Sequence, residues 1–302
     1  MKNEILVVGS VALDGIESPA GKAVNALGGS AVYFSLSAAH FAPVRLCGAA
    51  GADFPEKYHR LIEGAGVNTE GLETLPGKTF RWEGSYSPDF RTATSRKTEL
   101  NVFEHFRPAL SAPERACPAL FLANIDPRLQ LHVLSKMKRP RIVACDSMNM
   151  WIQRSRAALL KLLRKVDIFF VNEDEARQLT GEHNHVRAGR AALALGPKAV
   201  VVKKGDYGAA VFSGDKMCSL CAYPVAAVAD TTGAGDTFAG GFMGYIAGSR
   251  APRAFGELKA ALAFGTVMGS FAVESFGAQG LAAVTRKQIA RRLKEYKAIA
   301  SL

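Results

Sequence analysis

The chain has 302 residues, 48% of them hydrophobic, and carries a formal net charge of +11. That is enough apolar sequence for one large α/β unit or two small ones, and no apolar run reaches the roughly 18 residues that span a bilayer. Met1-Lys2-Asn3-Glu4 leads directly into a strand without a secretory pattern, so a cytoplasmic protein is expected.

In chain order, Ile5 to Gly9 reads as a buried strand from its continuous apolar run. Ser30 to His40 reads as a helix, Val44 to Ala49 as a strand, and Pro55 to Ala65 as a helix with Tyr58, Leu61 and Ile62 on one face. Lys78 to Phe103 has no helical period. There Phe80, Trp82, Gly84 and Tyr86 alternate with Arg81, Glu83 and Ser85, and Ser87-Pro88-Asp89 marks a turn. The pattern predicts a hairpin inserted in the α/β body, with a one-sided aromatic stripe that covers substrate, a partner subunit or the body. Further strands are predicted at Ala119 to Ala123, Ile142 to Cys145, Ile168 to Val171 and Ala199 to Val202. Helical runs near Leu129 to Met137, Ser155 to Leu163, Glu173 to Leu179 and Val186 to Leu195 separate them. Tyr223 to Val228 reads as a strand end, Thr237 to Ile246 as an apolar helix, and Glu257 to Val273 as a long helix. The alternation predicts a mostly parallel sheet with helices on both faces, whose ligands sit at the carboxyl ends of the strands.

The densest chemistry lies at Asp230-Thr231-Thr232-Gly233-Ala234-Gly235-Asp236, followed by Gly240 and Gly241 inside the helix. Gly233-Ala234-Gly235 reads as a tight turn into a helix N-terminus, whose free N–H groups and dipole favour anions. Asp236 is expected as the N-cap, with its carboxylate beside the anion site. A base next to an oxyanion cradle is what phosphoryl transfer to a hydroxyl requires. A capped helix after a glycine turn is the plainer alternative. Two features argue against it: each glycine at 240 and 241 costs about 1 kcal/mol relative to Ala, so helices keep such pairs mainly where a backbone must approach closely, and Asp230 and Thr232 add oxygen ligands just before the turn.

This run resembles the C-terminal signature of the ribokinase, or PfkB, family of carbohydrate and nucleoside kinases, Asp-Thr-x-Gly-Ala-Gly-Asp. The resemblance extends from Gly9 to Gly280. It implies a three-layer, ribokinase-like (Rossmann-like) α/β fold in a single domain over residues 1–302, with a small β lid around residues 78–103. It also implies transfer of the ATP γ-phosphoryl group to a hydroxymethyl. By that resemblance Asp236 is the catalytic base and contacts the acceptor, while Gly233, Ala234 and Gly235 supply anion-hole N–H groups. Asp14 and the pair Gly28-Gly29 match the acceptor-binding positions. Where the family's sugar kinases carry an Asn, this chain has Tyr33, a residue that could stack on a base or simply pack.

Asn172 and Glu175 match the family's Asn-x-x-Glu motif, which implies Mg²⁺, held directly or through water, and a part for Asn172 at ATP. Read from residues alone, an N-cap followed by acids in a first helical turn is the preferred reading. Lys203, Gly205 and Gly208 resemble the nucleotide loop, whose bland reading is a glycine hairpin. Thr266 and Gly277 fall near adenine on the same alignment. Asp230, Thr232, Ala272, Ser275 and Gly277 would surround a monovalent cation such as K⁺.

Tyr33, Phe80, Trp82 and Tyr86 offer flat faces, so a nucleoside acceptor is preferred over a free sugar. The alternatives are a ribokinase- or fructokinase-like sugar kinase and a non-catalytic nucleotide-responsive regulator. A nucleic-acid binder is suggested by charge alone. Its basic groups lie at Lys136 to Arg141, at Lys161 to Lys165 and at Arg286 to Lys297, and none is interleaved with aromatics as a stacking platform would be. The expected partners are therefore ATP and a small nucleoside or sugar, with no nucleic acid and no membrane, and a homodimer through the lid. Cys218-x-x-Cys221 lacks the second pair of a zinc site, and the six histidines show no metal spacing.

Overall fold

The computed structural model describes residues 3–300. Thirteen strands form two sheets among them: β1 (Ile5–Val8), β2 (Ala12–Ser18), β3 (Gly21–Gly28), β4 (Val44–Gly51), β5 (Val67–Leu75), β6 (Phe80–Tyr86), β7 (Ala93–Glu99), β8 (Ala119–Leu122), β9 (Ile142–Cys145), β10 (Ile168–Asn172), β11 (Ala199–Lys203), β12 (Ala209–Ser213) and β13 (Lys216–Leu220). The nine-stranded sheet runs β13-β12-β11-β10-β9-β8-β1-β4-β5 and is parallel except at β11–β12 and β12–β13. Chain order reverses between β1 and β8, the switch point where open α/β sheets leave a crevice for ligands.

Both faces of this sheet are covered, as its continuous apolar strands require. Ile5 and Val7 of β1 join one core, under the helices Ser30–Ala38, Ala234–Gly248 and Phe255–Ala272. Leu6 and Val8 join the other, under Pro127–Lys136, Arg156–Leu163, Glu173–Thr180 and His185–Ala194. The glycine pair has the close approach it implies. A Cβ on Gly240 would meet the Ser37 side chain at 2.7 Å, and one on Gly241 would meet the Phe264 carbonyl at 2.8 Å. Helix Ala234–Gly248 is therefore wedged between its two neighbours.

The second sheet, β3-β2-β6-β7, is larger than the hairpin predicted from sequence. β6 and β7 form that hairpin, but β6 also pairs in parallel with β2, which pairs with β3. Asp14 and Gly28 therefore lie on strands of the lid sheet. Asp53 ties this sheet to the body: Oδ1 accepts from the Thr79 N–H at 2.7 Å, and Oδ2 pairs with Arg81 at 3.0 Å. A further correction concerns Tyr223 to Val228, which form no strand. The outer edge of β13 stays unpaired, and Pro224 gives this stretch no N–H for a ladder at that position.

Candidate active site

Helix Ala234–Gly248 begins one turn earlier than expected. Its N-cap is Gly233, with φ +69°, and Asp236 is its third residue, so the reading of Asp236 as N-cap is corrected. The Ala234 N–H donates to Thr231 O at 3.3 Å, which turns the chain into the helix. The N–H groups of Gly235 and Asp236 meet no acceptor among the described residues. Those two remain free for an anion, whereas Ala234 is partly occupied.

Tyr33 is only 1% exposed, and its ring fills the space that a Gly233 side chain would need. All nine residues of Ser30–Ala38 are buried, so this helix presents no open side. Tyr33 thus supports the turn from beneath and is not the free stacking face suggested by its place after Gly28-Gly29. Gly29 has φ +98°, and a Cβ there would meet the Ala12 N at 2.8 Å. The place of a Gly28 side chain is taken by the Asp14 carboxylate. Asp14 is 4% exposed; burial, followed by the charges of Asp230 and Asp236, raises it to about 8. The three acids thus share one region beneath the lid sheet.

Asp230 is a clamp. Oδ1 accepts from the Thr232 N–H at 2.7 Å and Oδ2 from the Gly277 N–H at 3.1 Å. Its own N–H and that of Ala229 point to Val273 O. Asp230, Thr232 and Gly277 are therefore brought together beside the end of helix Phe255–Ala272, with Ser275 in the intervening turn. Each Asp230 oxygen accepts one hydrogen bond and keeps a lone pair, so a cation here would draw on the carboxylate as well as on carbonyl oxygens. That fits K⁺, a weakly hydrated ion that carbonyls can coordinate.

The ends of β9, β10 and β11 converge on the same helix N-terminus. Asn172 and Lys203 are register partners. Asn172 and Glu175 form a reciprocal cap: Oδ1 accepts from the Glu175 N–H at 2.8 Å, and Oε2 accepts from the Asn172 N–H at 2.9 Å. Lys203 Nζ donates to Asp146 Oδ2 at 2.6 Å and lies 3.1 Å from where a Gly235 Cβ would sit. Burial would lower Lys203, but Asp146, Glu175 and Asp236 outweigh it and hold the ammonium above its ordinary value. Asp236 is raised to about 8, first by burial and then by Asp146, with Lys203 opposing. Glu175 is raised to about 7 by burial, against the pull of Lys203. Among the described residues no three Asp, Glu, His or Cys side chains gather closely enough to hold a metal alone. This donor set fits a hard cation such as Mg²⁺ that keeps most of its waters.

The stretch from Lys203 to Gly208, expected from the resemblance as a nucleotide loop, is split in its behaviour. Gly205, at φ +57°, has open space around it. Gly208, at φ +91°, is pressed against the backbone of residues 220–222, which leaves no room for a side chain there. Lys204 reaches Ser219 at 3.0 Å, away from Lys203. Thr266 is 6% exposed and lies beside the buried Tyr296, whose hydroxyl donates to Cys221 O at 2.6 Å.

The aromatic stripe divides three ways. Phe80 stacks on Phe103 with ring centroids 6.1 Å apart, and is packing. Trp82 lies over Gly84 and donates to Ser95 Oγ at 2.7 Å. Tyr86 meets the Thr232 hydroxyl at 2.9 Å. The hairpin tip continues onto the 205–208 turn, where Arg91 pairs with Asp206 at 2.8 Å and lies over Tyr207. Sequence reasoning missed Asp146 and Arg91. The available signal for Asp146 was an acid directly after a continuous apolar strand, the place that Asn172 and Lys203 occupy on their own strands.

Comparison with known proteins makes this chain a phosphotransferase that acts on an alcohol group. A family model described as pfkB family carbohydrate kinase matches residues 130–285, and the chain belongs to that family. It is 31% identical over 254 residues to a cytidine kinase of Thermococcus kodakarensis, covering 81% of this chain and 89% of that protein. The nucleoside kinase structure from Methanocaldococcus jannaschii aligns with a TM-score of 0.78 at 20% identity, over 97% of this chain and 98% of that one. A fructokinase variant from Vibrio cholerae O395, bound to fructose, ADP and a potassium ion, aligns with a TM-score of 0.80 at 18% identity, over 97% and 98%.

Proposed function

We propose that this chain transfers the γ-phosphoryl group of ATP to a hydroxymethyl of a nucleoside, with a free sugar as the second reading. The observation that carries the phosphoryl-transfer chemistry is the placement of Asp236 in the first turn of Ala234–Gly248, beside free N–H groups and Lys203. In this reading Asp236 takes the acceptor's proton, and the Gly233–Gly235 turn holds the moving charge. Asp14, Gly28 and Gly29 hold the acceptor, with Tyr33 as a support beneath the turn. Lys203 and Gly205 face the phosphates, while Thr266 and Gly277 flank the base end of ATP.

Glu175 and Asn172 would hold Mg²⁺ through water; the ion supplies charge neutralisation on the phosphates. Asp230, Thr232, Ala272, Ser275 and Gly277 would enclose K⁺. The preference for a nucleoside is supported by the relation to the cytidine kinase and by the half-buried Trp82 on the lid sheet.

We further propose that residues 1–302 act as one catalytic unit in the cytoplasm, and that two copies meet through the lid. The exposed edge strand β7 favours such a contact, since an unpaired edge is a template for pairing. An ADP-release assay over nucleosides and sugars tests the function. A nucleoside accepted at least about tenfold better than any sugar, a difference of roughly 1.4 kcal/mol, is the expected result. Preference for a sugar would reverse the acceptor assignment, and no ADP release with any acceptor would overturn the kinase reading.

A further inference from the structure

Asp146 has no part in the roles assigned above, yet its backbone and both carboxylate oxygens are hydrogen-bonded. It follows β9 directly and is 2% exposed. Its N–H donates to Leu122 O at 3.0 Å, and its carbonyl accepts from Gln130 Nε2 at 3.0 Å. The same Gln130 amide also donates to Ala123 O at 2.8 Å, so the end of β8, the end of β9 and helix Pro127–Lys136 are tied at one point. Asp146 Oδ1 accepts from the Ser147 N–H at 2.9 Å, which leaves Oδ2 to hold Lys203 Nζ at 2.6 Å.

A buried ion pair contributes little net stability, because desolving both charges offsets their attraction. An ammonium has three donors, and among the described residues Asp146 is the one acceptor of Lys203. Its other donors lie beside Gly235, whose own N–H is free. A fixed cation with spare donors thus faces the place where an anion docks.

We propose that Lys203 is a catalytic cation for the transferring phosphoryl group and that Asp146 is its positioning residue, fixing the ammonium against the Gly233–Asp236 turn before substrates bind. This rests on the kinase reading above. In the reaction the bond from the γ-phosphorus to the ADP oxygen breaks, and ADP leaves with the electron pair. A bond from phosphorus to the acceptor oxygen forms, and the hydroxyl proton passes to Asp236. Lys203 gives up no proton; it stabilises charge on the phosphoryl oxygens, and that charge is already in place when the bond begins to break.

The test compares Lys203→Met, Asp146→Asn and the double variant in the full chain. Each is measured for kcat, for binding of ADP alone, and for binding of ADP with magnesium and aluminium fluoride as a mimic of the transferring group. Lys203→Met should lose about 10²- to 10³-fold in kcat, the scale of one preorganised donor. Asp146→Asn should lose on the order of tenfold, and the double variant should fall within about threefold of Lys203→Met, as expected when one residue acts through the other. ADP affinity should hold within about threefold while the extra affinity conferred by fluoride falls in both single variants.

A double variant that loses the product of the two single losses would overturn the proposal. So would wild-type kcat in Asp146→Asn, or an unchanged fluoride advantage in Lys203→Met. Thermal melts check folding. If Lys203→Met does not fold, Lys203→Arg takes its place: it keeps the charge and should keep most of the fluoride advantage, and a complete loss there would also refute the inference. The fluoride comparison needs no acceptor, so it decides the role of Lys203 even if every nucleoside and sugar proves inert.

Discussion

Asp14→Asn should make the ligand-free protein more stable, and the gain should grow with pH. Asp14 is raised from 3.8 to about 8, by burial and then by the charges of Asp230 and Asp236. Below about pH 4 both folded and unfolded chains hold the proton, so no penalty exists. Between about pH 4 and pH 8 the unfolded chain releases the proton while the folded chain keeps it, so stability falls as pH rises. Above about pH 8 the whole penalty is present.

A shift of roughly four units corresponds to at most about 5–6 kcal/mol at 1.36 kcal/mol per unit. The repulsion is shared with Asp230 and Asp236, and effective screening inside proteins is strong, so about 2 kcal/mol is the working expectation. For 302 residues the unfolding entropy is on the order of 0.6 kcal/mol/K, which converts this to about 3 °C. Asn is isosteric and still fills the space over Gly28, so little packing is lost. Melting curves of both proteins at pH 5, 7 and 8.5 give the answer. The two midpoints should separate steadily toward pH 8.5, while acceptor binding is lost in the variant. Parallel curves, or a separation that grows toward acid, would refute the buried-acid argument.

Asp236→Asn should lower kcat by at least about 10²-fold with ADP affinity little changed; because the base must be ionised, wild-type activity should rise with pH toward about 8, and near-wild-type turnover in the variant would remove the assignment. Trp82→Ala should weaken acceptor binding far more than ATP binding; equal losses would mean that the ring only supports the sheet, and a changed oligomer mass would place it at an interface. Potassium should raise turnover over a bulky organic cation at constant ionic strength, and Asp230→Ala, which releases the Thr232 and Gly277 N–H groups, should abolish that response. Gly240→Ala should destabilise by about 1–3 kcal/mol through overpacking, whereas Gly256→Ala, with nothing within 4 Å of the new methyl group, should be neutral or stabilising; equal melting temperatures for the two would contradict the close packing of Ala234–Gly248.

The central strands were legible because each is buried on both faces and therefore apolar throughout, as in Ile168–Asn172 up to its last residue. β2 and β3 were not. Ala12–Ser18 contains Gly15, and Gly21–Gly28 contains Lys22 and Asn25, so neither shows a clean alternation. They become strands through their partners: Asp14 is in register with Trp82 on one side and with Ala26 on the other. Pairing of that kind lies between segments, and a reading of one segment at a time cannot reach it. Tyr223 to Val228 failed in the opposite sense: local composition suggested a strand, yet these residues, with Pro224 among them, do not pair with the free edge of β13.

The same distinction separates the legible part of the site from the rest. The Asp230–Asp236 run carries its chemistry in consecutive residues, so glycines, acids and helix start could be read together. Its exact capping could not, because the start of the helix depends on the Thr231 carbonyl accepting from Ala234, two residues before Asp236. Tyr33 sits next to a glycine pair in sequence, but its burial is decided by Gly233, two hundred residues away. Asp146 is the fullest case. Its neighbours, Cys145 and Ser147, suggest no chemistry, and its role arises only when parallel pairing sets the ends of β9, β10 and β11 side by side. A parallel sheet collects residues that follow apolar runs into one crevice. The polar residue directly after each such run is therefore the position to inspect, and in this chain that rule picks out Asn172 at the end of β10, Lys203 at the end of β11, and Asp146 after β9.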